Sequence, residues 1–177
     1  MTRLGQQGLA LTRDWIGIDE LIGSASRRLR RYEPDVRLEY NIPPDLPPIY
    51  VHPALIEQAL FNVMENAAKF SPPGEPVQIQ IQRTGKGELQ IDVSDHGPGI
   101  PENERHRIFD MFFSAERGDH GKQGTGLGLT IVQGIVGAHM GHVEALPGQE
   151  GRGTTIRLTF PWDKHDHQEE KGHDTTS

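Results

Sequence analysis

The chain contains no cysteine, so neither a disulfide nor a thiolate metal site is available to it. No apolar run approaches the roughly 18–20 residues that a membrane-crossing helix needs, and no secretory hydrophobic segment is visible. The residues are therefore expected to form a soluble piece that makes no direct membrane contact. Positive charge is in the minority, with 18 Lys and Arg against 25 Asp and Glu and a net charge of −7, which argues against nucleic acid as a partner. No internal repeat is evident, which excludes solenoid architectures. What is present suits one folded domain: 177 residues, 34% apolar, with 21 glycines to build loops.

The patterning begins after a short polar stretch. Residues 1–16 read as a linker, or the remnant of a preceding helical domain, and residues 17–162 as the folded domain. Ile18–Arg31 has apolar residues at 18, 21, 22, 25 and 29, acids in its first turn and arginines late, which predicts an amphipathic helix. Val36–Ile42 alternates as a strand does, and Pro43–Pro48 is a proline-rich turn. A long helix over Leu55–Ser71 opens at Pro53 and is stopped by Pro72-Pro73-Gly74. Val77–Arg83 and Leu89–Ser94 alternate with period two around Gly85-Lys86-Gly87, a hairpin. Then come Asp95–Ile100, a short helix over Glu102–Phe109, and a loop from Asp110 to Thr125. That loop has almost nothing apolar after Phe113 and is expected to be mobile until a ligand orders it. A helix over Gly126–Met140 and strands over Gly141–Leu146 and Thr154–Phe160 complete the pattern. Residues 163–177 carry five acids against two lysines, have no periodicity, and are expected to be disordered. Three of the nine histidines lie there, at 165, 167 and 173, without a preformed metal site.

The helix over 55–71 divides into two faces. Ile56, Leu60, Val63, Met64 and Ala67 form a core stripe. Asn62, Asn66 and Lys69 line up beside it at i, i+4 and i+7. Read alone, that row is either a solvated face or a ledge for a metal ion and phosphates, with carboxamide oxygens as hard ligands and Lys69 as counter-charge. Asp95 follows a strand directly, with Gly97 and Gly99 behind it. The turn is an ordinary one, or it presents a carboxylate to a hydrogen-bond donor such as an adenine amine while glycines let a flat ring approach. Gly124-Thr125-Gly126-Leu127-Gly128-Leu129 opens a helix whose exposed amides suit phosphate oxygens. It is not a P-loop, because Lys122 is followed by Gln123, nor does it have the spacing of a dinucleotide fingerprint. Gly151-Arg152-Gly153-Thr154-Thr155 precedes the last strand and, taken singly, is a plain hairpin turn.

In this order the stretches resemble the N, G1, F, G2 and terminal glycine/threonine boxes of the ATP-binding catalytic domain of sensor histidine kinases. Ile108–Phe113 supplies the F box. Within that family the region DMFF–GTGLGLTIV–GRGTT is most similar to the potassium-sensing, KdpD-type kinases. The resemblance implies the Bergerat fold shared with gyrase, Hsp90 and MutL ATPases: an α+β two-layer sandwich, a mixed sheet with helices on one face, and a mobile lid over ATP. It implies Mg²⁺ on Asn66, with Asn62 next toward the phosphates, Lys69 on phosphate, and Phe70 near the ribose or base. Asp95 would accept from the adenine amine, with Gly97, Gly99 and Ile100 shaping the floor and Thr154 completing that side through a water. Gly124, Thr125, Gly126, Leu127, Gly128 and Leu129 would bring the lid to the phosphates, and Phe109 and Phe112 would anchor it.

The resemblance further implies a protein-histidine kinase whose acceptor histidine is elsewhere. The family's His-Glu/Asp-x-Arg-x-Pro pattern is missing, and residues 1–8 are expected to be the last turn of the helical hairpin that bears it. The partners would be that dimerisation domain and a cognate response regulator. The domain is expected to be cytoplasmic, with the parent anchored in the inner membrane. Two other readings stand beside this one: an ATP hydrolase of the same fold, and a nucleotide-sensing module without phosphotransfer. The hydrolases need a Glu one turn before the metal-binding Asn, where this chain has Asn62. His96 is read as a bystander.

Overall fold

The computed structural model describes residues 13–110 and 128–162. Helix α1 spans Ile18–Tyr32 and buries Ile18, Leu21, Ile22, Ala25, Ser26 and Leu29. These are the stripe positions plus Ser26, whose hydroxyl bonds the Ile22 carbonyl one turn back. Asp19 and Glu20 sit in its first turn and Arg30 and Arg31 in its last, each complementing the helix dipole. The central helix α2 spans Pro53–Phe70. Pro53 occupies its first turn, and the His52 side chain caps it by accepting the Leu55 N–H at 3.3 Å. Its stripe of Ile56, Leu60, Val63, Met64 and Ala67, widened by Ala59 and Phe61, is buried. Each large aliphatic side chain taken fully out of water there contributes about 1.5–3 kcal/mol.

Both helices, together with α3 (Gly128–Ala138), cover one face of a five-stranded sheet. Strand β2 is Leu38–Asn41, β4 is Val77–Arg83, β5 is Glu88–Ser94, β6 is His142–Pro147 and β7 is Thr154–Pro161, in the order β2-β4-β5-β7-β6. Only the β2–β4 pairing is parallel, so the sheet is mixed. The alternation fixes its two faces. Val77, Ile79, Ile81, Leu89, Ile91, Val93, Ile156, Leu158 and Phe160 are buried in the core. Gln78, Gln80 and Gln82 stand opposite Ser94, Asp92 and Gln90, which in turn face Thr155, Arg157 and Thr159. Arg157 grips Asp92 there with two bonds of 2.9 and 3.0 Å. The result is the expected α+β two-layer arrangement.

Several boundaries differ from the sequence reading. Two strands of three residues, β1 (Asp14–Ile16) and β3 (Ile49–Val51), pair antiparallel as a separate small sheet; neither is long enough to show a period. The strand expected over 36–42 is the shorter β2. The short helix over Glu102–Phe109 is a 3₁₀ helix. Helix α3 ends at Ala138 rather than Met140, because Met140 turns left-handed at φ 62°. Gly141 N–H then bonds the Val136 carbonyl, and Met140 N–H bonds that of Gly137, the double bond of a Schellman stop. The expectations for residues 1–12, for the loop between 111 and 127 and for the tail from 163 lie outside the described residues.

Candidate functional site

The polar row of α2 emerges at the edge of the helical layer. Asn62, Asn66, Lys69 and Phe70 are all half-buried, while Glu65 is exposed on another side of the helix. Asn62 has a fixed carboxamide. Its Oδ1 accepts from Gln58 Nε2 at 2.7 Å, and its Nδ2 donates to the Gly128 carbonyl at 3.1 Å, which ties α2 to the first residue of α3. Asn66, one turn on, takes no hydrogen bond from any described residue, so its oxygen remains available to a ligand. Gly128 and Leu129 open α3 beside this row, and Leu129 is half-buried. Phe109 ends the 3₁₀ helix, buried at 4% exposure, and its carbonyl accepts from Thr130 Oγ1 at 2.7 Å. Phe112, Gly124, Thr125, Gly126 and Leu127 lie outside the described residues.

Asp95 stands where β5 ends, on the sheet layer, and is 4% exposed. Its Oδ1 accepts two backbone N–H groups, Gly97 at 2.9 Å and Thr154 at 3.2 Å. Its own N–H donates to the Thr154 carbonyl at 2.9 Å. Oδ2 is engaged by no described residue. Burial raises the Asp95 pKa above the ordinary carboxylate value, and the two backbone bonds and the neighbouring His96 oppose that rise. Two glycines here are obligatory for steric reasons. A Cβ on Gly97 would run into the Phe70 carbonyl, and one on Gly153, which has φ +78°, would run into the Asp95 carbonyl. Gly97, Gly99, Ile100, Pro98, Arg105 and Gly153 border an open groove of about 740 Å³ beside Asp95. Sheet layer and helix layer thus meet where Gly97 closes on the Phe70 carbonyl, with the carboxamide row on α2 and the buried Asp95 carboxylate at the end of β5.

Sequence reasoning missed several members of this arrangement. Gln58 orients Asn62, and its signal was its position one turn before that residue. Gly153 wedges under Asp95, and its signal was the Gly-x-Gly before Thr154. His96, read as a bystander, joins the Asp95 loop to the end of α2: its backbone N–H donates to Ser71 Oγ at 3.3 Å.

Helices on one face of a mixed sheet, a carboxamide row on the central helix and a strand-end aspartate among glycines are the features of the Bergerat class of ATP-binding domains. Residues 51–164 match the family described as histidine kinase-, DNA gyrase B-, and HSP90-like ATPase, and the chain belongs to it. It is 39% identical over 73% of its length to the adaptive-response sensory kinase SasA of Gloeothece citriformis. It is also 37% identical over 91% of its length to the sensor protein KdpD of Escherichia coli. The chain spans only 32% and 18% of those two relatives. Among solved structures, the mycobacterial sensor histidine kinase MprB superposes with a TM-score of 0.73 at 31% identity, over 85% of this chain and 97% of that one. Among the described residues no helix is long and apolar enough to cross a membrane.

Proposed function

We propose that this chain is the catalytic domain of a two-component sensor histidine kinase. It binds Mg·ATP in the cleft between α2 and the Asp95 loop and presents the γ-phosphate to a histidine on a separate dimerisation domain. The phosphoryl group then passes to a response regulator. The observation that carries this reading is the Asn62 carboxamide, held between Gln58 and Gly128 at the place where a hydrolytic ATPase of this fold needs a carboxylate base. Glu65 is exposed on α2 and lies about 100° around the helix from Asn66. An imidazole acceptor is already nucleophilic near neutral pH, so positioning and charge neutralisation suffice for transfer.

The residues suit the ligands this reading requires. Asn66 has a spare hard oxygen, and no cluster of three His, Cys, Asp or Glu competes for a cation among the described residues. Mg²⁺ is characteristically held by one or two protein oxygens together with phosphates and water, and bound there it neutralises phosphate charge. Asn66 would hold that ion, Lys69 the phosphates, and Asp95 Oδ2 the adenine amine, with Gly97, Gly99, Ile100 and Thr154 around the base and Phe70 near the ribose. Residues 124–129 and Phe112 belong to the proposed lid. Residues 17–162 form the domain in this reading. The potassium-sensing assignment and an inner-membrane parent are part of the proposal, supported by the long span of likeness to KdpD. Transfer of phosphate to an added acceptor domain is the test.

A further inference from the structure

We propose that His96 is a positioning residue that sets base selectivity by stitching the Asp95 loop to the end of α2; the inference rests on the nucleotide reading above. The two halves of the cleft belong to different layers. Asp95 is anchored on the sheet side by Thr154, whereas Asn62, Asn66, Lys69 and Phe70 ride on a helix. Something must hold the carboxylate at a constant distance from that helix. Gly97 gives close backbone contact with the Phe70 carbonyl, but contact alone fixes no direction.

His96 supplies the direction. Its Nδ1 lies 2.9 Å from the Pro76 carbonyl; a carbonyl only accepts, so Nδ1 carries the proton and donates. Its backbone N–H donates to Ser71 Oγ at 3.3 Å. Ser71 is the C-cap of α2, and Pro76 lies in the turn that leaves the helix, so both bonds reach from the Asp95 loop to the helix exit. Arg152 braces the same corner from β7's side. Its Nη1 lies 3.8 Å from Glu75 Oε1, and its Nη2 reaches the His96 carbonyl at 3.5 Å. Glu75 Oε2 is 3.7 Å from His96 Nδ1. His96 itself stands on the border of the open groove, with its Nδ1 turned to the Pro76 carbonyl. It acts through its neighbour, Asp95.

A donor at the δ position is the feature that matters. Asn places an amide nitrogen the same number of bonds from Cα as His Nδ1, whereas Ala supplies nothing and Gln reaches one bond too far. Binding of ATP and GTP to the purified chain should be compared by calorimetry, with GTP read by displacement, for wild type, His96→Ala, His96→Gln, His96→Asn and Ser71→Ala. Loss of the side-chain bond to Pro76, in the His96 variants, or of the backbone bond to Ser71, in Ser71→Ala, lets the carboxylate drift from the base edge. His96→Ala and His96→Gln should therefore lose roughly 10-fold in ATP affinity, about the value of one hydrogen bond, while GTP changes less than about twofold. His96→Asn should retain the wild-type preference, and Ser71→Ala should lose part of it. Thermal unfolding checks that each variant folds, and Ser71→Ala and His96→Asn carry the test if His96→Ala does not. An unchanged ATP-over-GTP preference in His96→Ala, equal losses for both nucleotides, or failure of Asn to rescue where Gln also fails would overturn the inference. A wild-type chain that binds neither nucleotide would instead overturn the reading beneath it.

Discussion

Asp95→Asn separates the proposed binding role of this carboxylate from its structural one. Oδ1 alone carries the two backbone bonds, to Gly97 and Thr154, and an Asn carbonyl oxygen can keep both. Oδ2, which no described residue engages, becomes an amide nitrogen. In the proposed complex, an acceptor facing the adenine amine is thereby replaced by a donor facing a donor. An unmade buried hydrogen bond costs about 1–3 kcal/mol, so ATP affinity should fall roughly 5- to 150-fold. GTP, with an acceptor at that ring position, should gain relative to ATP. Stability should move the other way. Burial raises the pKa of Asp95 in the fold, so the charged form costs folding energy above that pKa, and stability recovers as pH falls through it. Removing the charge removes the cost, and the empty variant at pH 7 should unfold at the same temperature as wild type or higher. Calorimetry with ATP and GTP, paired with thermal unfolding, measures both effects. Wild-type ATP affinity in a folded Asp95→Asn chain would remove Asp95 from the site.

Two further outcomes follow from α3. His139 is 7% exposed; its ring contacts the Ile135 carbonyl through Nδ1 and accepts the His52 N–H through Nε2 at 3.1 Å. Burial lowers its pKa, the Ile135 bond opposes this, and Arg13 and His52 add to the lowering. The unfolded chain therefore binds a proton first, so stability is full above the unfolded value of about 6.5 and falls as pH drops toward the folded value. One proton sets an upper slope of about 1.4 kcal/mol per pH unit. His139→Phe should lose that share of the acid dependence in urea titrations between pH 7.5 and 5.5, and an unaltered slope would exclude the mechanism. Met140 is 80% exposed and left-handed, so Met140→Gly should relieve backbone strain and stabilise the chain by about 0.5–1 kcal/mol. A lower unfolding midpoint would contradict that assignment of the helix stop.

Local periodicity revealed the large elements because each has one buried face. The stripe through Ile56, Leu60, Val63, Met64 and Ala67 had one helical solution, and Val77–Arg83 one strand solution. The proposed site was legible where residue type and spacing coincide, as in the row Asn62, Asn66 and Lys69 and in Asp95 at its strand end. What remained hidden is made by contacts distant in sequence. Asp14–Ile16 becomes a strand only because Ile49–Val51 lies beside it. Gly153 matters because its backbone presses on Asp95, 58 positions earlier, which no spacing rule reports. His96 looked incidental because its partners, Ser71 and Pro76, belong to another element's exit turn. Met140 gave no sign of a helix stop, since the residue usually found there is glycine.

The central claim, transfer rather than hydrolysis, is tested most directly by incubating the chain with γ-labelled Mg·ATP and the parent's acceptor domain produced separately. The account expects label on the acceptor domain alone, lost in acid and stable in base as phosphohistidine is, with no label on the chain by itself. Release of inorganic phosphate without any transfer, or stable label on a histidine of this chain, would contradict it.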